Sequence, residues 1–364
     1  MRVKINKEDL NELYKLIEVK EANIQIASML NDLCFSLDQF DFVKESSNLN
    51  KEDFSNRAIE EFLDYFELDD TNEDNLYYVD NYLKNAFNYI DIKQYNDNPY
   101  KKNIDIGCIE TTQKSYVLHH LRYPKYSYFP LNDIEVDEKD YYRETTYLGI
   151  SKDEYKYLTL SKNKNIWMCI TPNEIETMKP HLEKAKGNIV TFGLGLGYYA
   201  YMASLKSEVK SVTIIEKDDV IINLFSHFIL PNFSNKNKIK IIKEDAIKYI
   251  KDTRLMGYDY AFFDLWHNAE DGLPLYLEIN KLEIIPPTSF WIEESLIAMY
   301  RRCLLTVIEE SLMGYSDDDY RRSKNAIEKV INEIYFKTKN ISFSSYQEIH
   351  KFLSKENILK LIRL

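Results

Sequence analysis

The sequence predicts an α/β protein built on a parallel sheet, and three observations predict it. Four short, β-rich apolar runs follow one another at regular intervals: Gly187–Phe192, Ser211–Glu216, Ile239–Asp245 and Tyr258–Asp264. Helical patterns separate them, which is the alternation that parallel sheets require. The first run enters a triple-glycine turn, Phe192-Gly193-Leu194-Gly195-Leu196-Gly197, and leaves it as a helical pattern from Tyr198. Glycines there bring a ligand close to the backbone, and the following helix start offers unpaired N–H groups. The next three runs carry or end at an acidic residue, Glu216, Asp245 and Asp264. Functional groups therefore collect at the carboxyl ends of the strands, where open α/β sheets bind ligands.

The elements before the sheet follow from periodicity. Residues 7–33 place Leu10, Leu13, Leu16, Ile17, Ile24, Ala27 and Leu30 mostly three and four apart, an amphipathic helix period, and similar patterns recur at 51–68 and 73–90. Asp69–Asp74 reads as a solvated break, and Asn96–Pro99 as a turn closing the first hundred residues. Within 101–144 the stretch TTQKSYVLHHLRY (111–123) reads as a helix, and the Tyr- and Pro-containing stretch after it as extended chain. From Thr145 the runs TTYLGI, YKYLTL and NIWMCI, divided by the polar turn 161–165, predict a small antiparallel sheet. Thr171-Pro172-Asn173-Glu174 then opens a helix over 172–184, with Thr171 as N-cap and Glu174 completing a capping box. After the sheet, residues 286–295 suggest a late strand and 296–364 read as mainly helical. The expected organisation is an acidic helical domain (1–100), a mixed linker or substrate-side region (101–144), a sheet domain with a β-rich lead-in (145–305) and a helical C-terminal extension (306–364).

Composition narrows the function classes. Of the net charge of −12, residues 1–100 supply all, with 22 Asp/Glu against 10 Lys/Arg, and the remainder balances at 37 of each. Such a balance argues against nonspecific nucleic-acid binding, which needs a positive surface, and favours a small-molecule substrate. No run reaches membrane-spanning length and the opening MRVKINKEDL lacks an apolar signal-peptide core, so a cytoplasmic location is expected. Cys34, Cys108, Cys169 and Cys303 are scattered without metal-ligand spacing, and no metal site is expected. His119-His120 is a poor metal pair, because adjacent residues of a regular element point apart, and both read as structural. Oligomeric state is left open.

Residues of about 150–300 resemble class I S-adenosylmethionine-dependent methyltransferases, in a layout similar to that of spermidine synthases. The resemblance implies a Rossmann-like methyltransferase sheet and S-adenosylmethionine as cofactor. It implies that Gly193, Gly195 and Gly197 approach the methionine part, that Glu216 accepts hydrogen bonds from the ribose hydroxyls and that Asp245 contacts the adenine amino group. Asp264 would lie beside the transferred methyl group, and Tyr198 would flank the cofactor. The reaction expected is methyl transfer to an oxygen or nitrogen of a small molecule. Asp264 and His267 are the catalytic candidates, since an acceptor needs alignment and a proton acceptor. Trp266 and Tyr276 are candidates for acceptor contacts, against a packing role for each.

Two departures qualify the resemblance. Thr191 stands where most methyltransferases carry an acid, and Asp264 is followed by Leu-Trp-His-Asn rather than by the Asp-Pro pair of aminopropyl transfer. Aminopropyl transfer and a non-catalytic cofactor-binding or protein-interaction module remain alternatives. A nicotinamide site is a further one, because Gly195-Leu196-Gly197-Tyr198-Tyr199-Ala200 fits GxGxxA, but it leaves Asp245 and Asp264 without roles.

Overall fold

The structure, a computed structural model, describes residues 1–35, 51–69, 71–110 and 115–363. Its central sheet consists of β1 (Gly187–Phe192), β2 (Val209–Glu216), β3 (Ile239–Lys243), β4 (Tyr260–Phe263) and β5 (Thr288–Phe290). The spatial order is β3-β2-β1-β4-β5 and every neighbouring pair is parallel. β4 (YAFF) is buried at every residue and β1 over its last four, as expected for strands covered on both faces, whereas the edge strand β3 has no fully buried residue. The chain runs from β1 outward to β2 and β3, then returns past β1 to add β4 and β5. That reversal places a topological switch point between β1 and β4, and a crevice at their carboxyl ends.

Helix α1 (Pro172–Lys184) leads into β1, with Thr171 Oγ1 accepting from Glu174 N at 3.5 Å. It is followed by α2 (Tyr198–Leu205), α3 (Asp219–Leu224), α4 (Ala246–Thr253), α5 (Ala269–Asn280) and α6 (Glu293–Leu312). The late strand expected within 286–295 is β5. Beyond α6 the chain is helical over Ala326–Thr338, Tyr346–Phe352 and Lys355–Ile362.

A four-stranded antiparallel sheet precedes the parallel one, formed by Ile109–Glu110, Tyr116–Tyr123, Tyr155–Lys162 and Asn165–Cys169. Its hairpin turn is Asn163-Lys164, both with positive φ (51° and 68°), the geometry of a two-residue primed turn. Tyr116–Tyr123 corrects the helix expected there: the segment pairs along its whole length with Tyr155–Lys162 and buries Tyr116 and Leu118 on one face. Pairing and burial outweigh the ambiguous local pattern. Thr111–Lys114, the start of that expected helix, lie outside the described residues.

In the first hundred residues helices span Lys7–Phe35 and Lys51–Tyr65. The third expected helix is shorter than its pattern. Glu73–Tyr78 passes into a π-helical turn at Val79–Leu83, and Phe87–Tyr89 is a strand paired in parallel with Leu148–Ile150. Phe87 packs there against Tyr128, 5.4 Å between ring centres, a cross-segment contact that periodicity does not reveal. These helices cover a second apolar core, containing Leu30, Phe54, Phe62 and Tyr128, beside the main core of the parallel sheet. Arg2–Val3 pairs with Ser342–Phe343 and so ties the first residues to the C-terminal helical segment. Among the described residues no helix is long and apolar enough to cross a membrane.

Candidate functional site: the crevice between β1 and β4

The three glycines of the turn after β1 have different physical reasons. Gly193 has φ 89°, its N–H donates to Ile215 O at 3.0 Å, and a Cβ there would lie 1.9 Å from Asp264 O. It is glycine so that the ends of β1 and β4 can touch. Gly197 has φ 78° and precedes α2, and a Cβ there would lie 2.3 Å from the Phe225 ring. Gly195, with φ 53°, has no atom within 4 Å of a Cβ position. Protein packing thus accounts for two of the glycines, while the middle one faces open space into which a ligand can approach the backbone.

Glu216 ends β2 and fastens the turn. Its Oε2 accepts from Leu194 N at 3.2 Å, and Oε1 accepts from Lys217 N (2.7 Å) and Asp218 N (2.8 Å). A carboxylate has about four acceptor directions, so one remains after these three bonds. Asp218 in turn caps α3 through Val220 N and accepts from Tyr116 Oη at 3.0 Å, which ties the antiparallel sheet to the rim of the crevice. Tyr100 Oη donates to Leu196 O at 2.5 Å and braces the turn from another side. Tyr198 is buried, accepts from Asn98 Nδ2 at 2.9 Å and packs against Tyr100. That side chain joins α2 to the N-terminus of the helix Pro99–Asn103. Asp245 is exposed beyond β3 and is the N-cap of α4, with Oδ1 accepting from Lys248 N at 3.1 Å.

Asp264 follows β4 and closes the sheet edge by donating its N–H to Phe192 O at 2.9 Å. Among the described residues its carboxyl has no hydrogen-bond donor. The group is partly reachable by solvent yet densely surrounded, as at the floor of a crevice, and this burial pushes its pKa up to about 7. The neighbouring acid is Glu174, in the first turn of α1, whose own pKa is raised by burial first and then by the negative charge of Asp264. Hydrogen bonds hold the two elements together. Trp291 N donates to Phe263 O at 2.9 Å, and the indole of Trp291 donates to Thr177 Oγ1 in α1 at 2.8 Å. Thr177 lies one turn after Glu174, and Phe263 directly precedes Asp264.

Glu174 is the site residue that the sequence does not disclose. Its local pattern explains it as part of a capping box, but only the Thr171 half of that box forms. The carboxyl, released from the cap, faces an acid ninety positions away in the chain.

The remaining candidates divide between rim and core. His267 is exposed; its Nδ1 lies 3.0 Å from Asp271 Oδ2 and its ring stands edge-on to Trp167 at 4.7 Å. Trp266 is buried, donates to Trp291 O at 3.2 Å and leans on Gly272, where a Cβ would lie 2.6 Å from the indole. Tyr276 is fully buried and donates to Glu293 Oε1 at 2.9 Å. Both side chains are buried in the core contacts just described. The structure therefore gathers Gly193, Gly195, Gly197, Glu216, Asp264 and Glu174 around the ends of β1, β2 and β4, with Asp245 farther out on β3 and His267 at the rim. Among the described residues no three His, Cys, Asp or Glu side chains converge as metal ligands.

No family model and no curated protein matches the chain. Among solved structures it is similar to spermidine synthase from Thermotoga maritima, at 11% identity over 38% of this chain and 53% of that one, with a TM-score of 0.28. It is also similar to the O-methyltransferase from Bacillus cereus in complex with SAH (14% identity, 45% and 67% of the two chains, TM-score 0.27). A third is the PRMT1 enzyme-prozyme complex of Trypanosoma brucei with AdoHcy (13%, 32% and 37%, 0.25). The chain spans only about a third to two thirds of the length of these structures. At such scores the fold rests on the strand order and parallel pairing described above.

Proposed function

We propose that the protein is an S-adenosylmethionine-dependent methyltransferase whose acceptor is the nitrogen of a small amine. The observation that carries this reading is the pairing of two unlike surfaces across one switch point: an open glycine turn after β1, and the carboxyls of Asp264 and Glu174 after β4. The residues present fit the cofactor. Gly195 leaves the approach to the backbone free, Glu216 retains an acceptor direction for the ribose hydroxyls, and Asp245 is exposed where an adenine amino group would lie. When bound, S-adenosylmethionine supplies an electrophilic methyl group on a sulfonium sulfur.

The chain's own part is to seat the acceptor and take its proton. Two carboxyls on a crevice floor attract an ammonium more than an alcohol, which favours nitrogen over oxygen. An ammonium must lose a proton before its lone pair can react, and Asp264, with a pKa of about 7, is matched to accept it near neutral pH. His267 at the rim takes that proton on towards solvent. Gly193 and Gly197 act by shaping the turn. In this reading residues 1–100, 101–144 and 306–364 frame the acceptor side, and 145–305 carry the cofactor and the reaction.

Isothermal titration of the full chain with S-adenosylmethionine and S-adenosylhomocysteine, with NAD as control, tests the cofactor; transfer of a radiolabelled methyl group to a panel of small amines tests the reaction. Binding of both sulfur ligands and label on an amine are expected. Failure of the folded protein to bind either would favour the non-catalytic module. Turnover only with the decarboxylated cofactor and a diamine would favour aminopropyl transfer, which the same acidic pair would serve.

A further inference from the structure

A second cavity lies between the helix Pro99–Asn103 and the antiparallel sheet, and its chemistry differs from that of the crevice. It encloses about 90 Å³, room for roughly six to nine water-sized groups. Tyr100, held by its bond to Leu196 O, forms one wall; Tyr155 and Tyr157, with rings 6.1 Å apart and nearly parallel, also line it.

Its charged groups are mostly cations. Lys101 is half-buried, donates to Asn96 Oδ1 at 2.7 Å and to the carbonyl of Lys156, and lies 3.8 Å above the centre of the Tyr155 ring. It has no carboxylate partner among the described residues. Lys20 pairs with Glu309, Arg143 with Asp140 and Arg302 with Glu144, whereas Lys206 and Lys238, like Lys101, donate to carbonyl oxygens. Burial, reinforced by Lys156, lowers the Lys101 ammonium to about 8, and the same two causes lower the His120 imidazole. Asp105 is the one acid lining the cavity, against the ammonium groups of Lys101 and Lys156, and the lowered His120 imidazole is neutral at pH 7. A half-buried ammonium without a counter-charge is costly, and an anion in the adjoining space offsets that cost.

We propose that this cavity is a binding site for a small planar organic carboxylate, its flat body against the tyrosine rings and its carboxylate beside Lys101. The site is separate from the cofactor crevice and does not rest on the methyltransferase reading.

The test is calorimetric titration of the full chain at pH 7 with benzoate, and with benzamide and benzylamine as neutral and cationic probes of the same shape. Benzoate is expected to saturate, benzamide to bind about tenfold more weakly for want of a charge-assisted bond, and benzylamine not to bind. Lys101→Met, which keeps the aliphatic stem, should weaken benzoate by about tenfold or more, while Lys102→Met, at an exposed neighbour paired with Asp97, should leave it unchanged. Circular dichroism establishes that each variant is folded, and Lys156→Gln, at an exposed position, replaces Lys101→Met should the latter fail to fold. Three outcomes overturn the proposal. The first is no saturation by about 10 mM, the weak limit for roughly nine non-hydrogen atoms at ordinary efficiency. The others are equal binding of all three probes, and unchanged benzoate affinity in the folded Lys101 or Lys156 variant.

Discussion

At the end of β2 Glu216 accepts three backbone N–H groups, whereas at the end of β4 the Asp264 carboxyl accepts none and shares its surroundings with a second acid. The two carboxyls occupy equivalent ends of strands in one sheet, yet their surroundings give them opposite properties. The β1–β2 side is a backbone structure, in which glycine conformations and main-chain donors hold a turn and a carboxylate in fixed positions. On the β4 side, burial raises the pKa of two carboxyls that have no hydrogen-bond donors among the described residues. A fixed receptor beside a proton-exchanging floor is what a group-transfer crevice requires, since one side must position and the other must respond.

The contrast can be broken most strongly at the seam between the two sides. Gly193→Ala would set a methyl group against Asp264 O and demand positive φ of an alanine. A loss of about 4 kcal/mol in denaturant unfolding is expected, the sum of overpacking and left-handed strain. A near-neutral result would show that the ends of β1 and β4 are not held together as described.

Next in size is Asp264→Asn, which removes the proton acceptor while keeping the shape. Amine methylation should fall about a hundredfold with cofactor affinity intact, and equal losses in both would move Asp264 to the cofactor side. The same residue makes a stability prediction. Its folded pKa of about 7 lies above the ordinary value of 3.8, so the folded state binds the proton more tightly than the unfolded chain. Stability from this group is complete below about pH 4 and is lost as pH rises through 7, on the order of 2 kcal/mol after allowance for solvent access. In Asp264→Asn that decline between pH 4 and 8 should flatten, as read by urea midpoints.

Glu216→Ala sharpens the opposite side. Removing an acceptor already anchored by three N–H groups should weaken S-adenosylhomocysteine binding by about 2 kcal/mol in titration calorimetry. Unchanged affinity in a folded variant would withdraw the ribose role. The smallest effect is expected from Tyr276→Phe, which deletes the bond to Glu293 in the core: about 1 kcal/mol of stability and no change in transfer rate. A specific loss of acceptor affinity would return Tyr276 to the site.

Much of the frame is legible in the amino-acid order. The runs of β1 and β4 are legible because a strand buried on both faces must be apolar throughout, those of β2 and β3 because β-rich residues recur between helical patterns, and the turn between Gly193 and Gly197 because positive φ is a local demand. Tyr116–Tyr123 is a strand where a helix is expected, since its apolar spacing fits both periods and only pairing with Tyr155–Lys162 decides between them. Trp266 and Tyr276 stand near the motif in sequence but turn into the core: Trp266 leans on Gly272 of α5, and Tyr276 lies on the buried face of α5.

What the amino-acid order determined by itself is therefore whatever depends on neighbours along the chain: strand and helix periods, caps such as Thr171, and the glycine turn. Tertiary structure decided what depends on neighbours in space. It set the order β3-β2-β1-β4-β5 and with it the switch point, and it opened the wall at Gly195 alone among the three glycines. It also brought Glu174 to Asp264 and left Lys101 beside a cavity without a counter-charge. Charge and steric interactions act over a few ångströms whatever the separation in sequence, so such pairings exist only once the chain has folded.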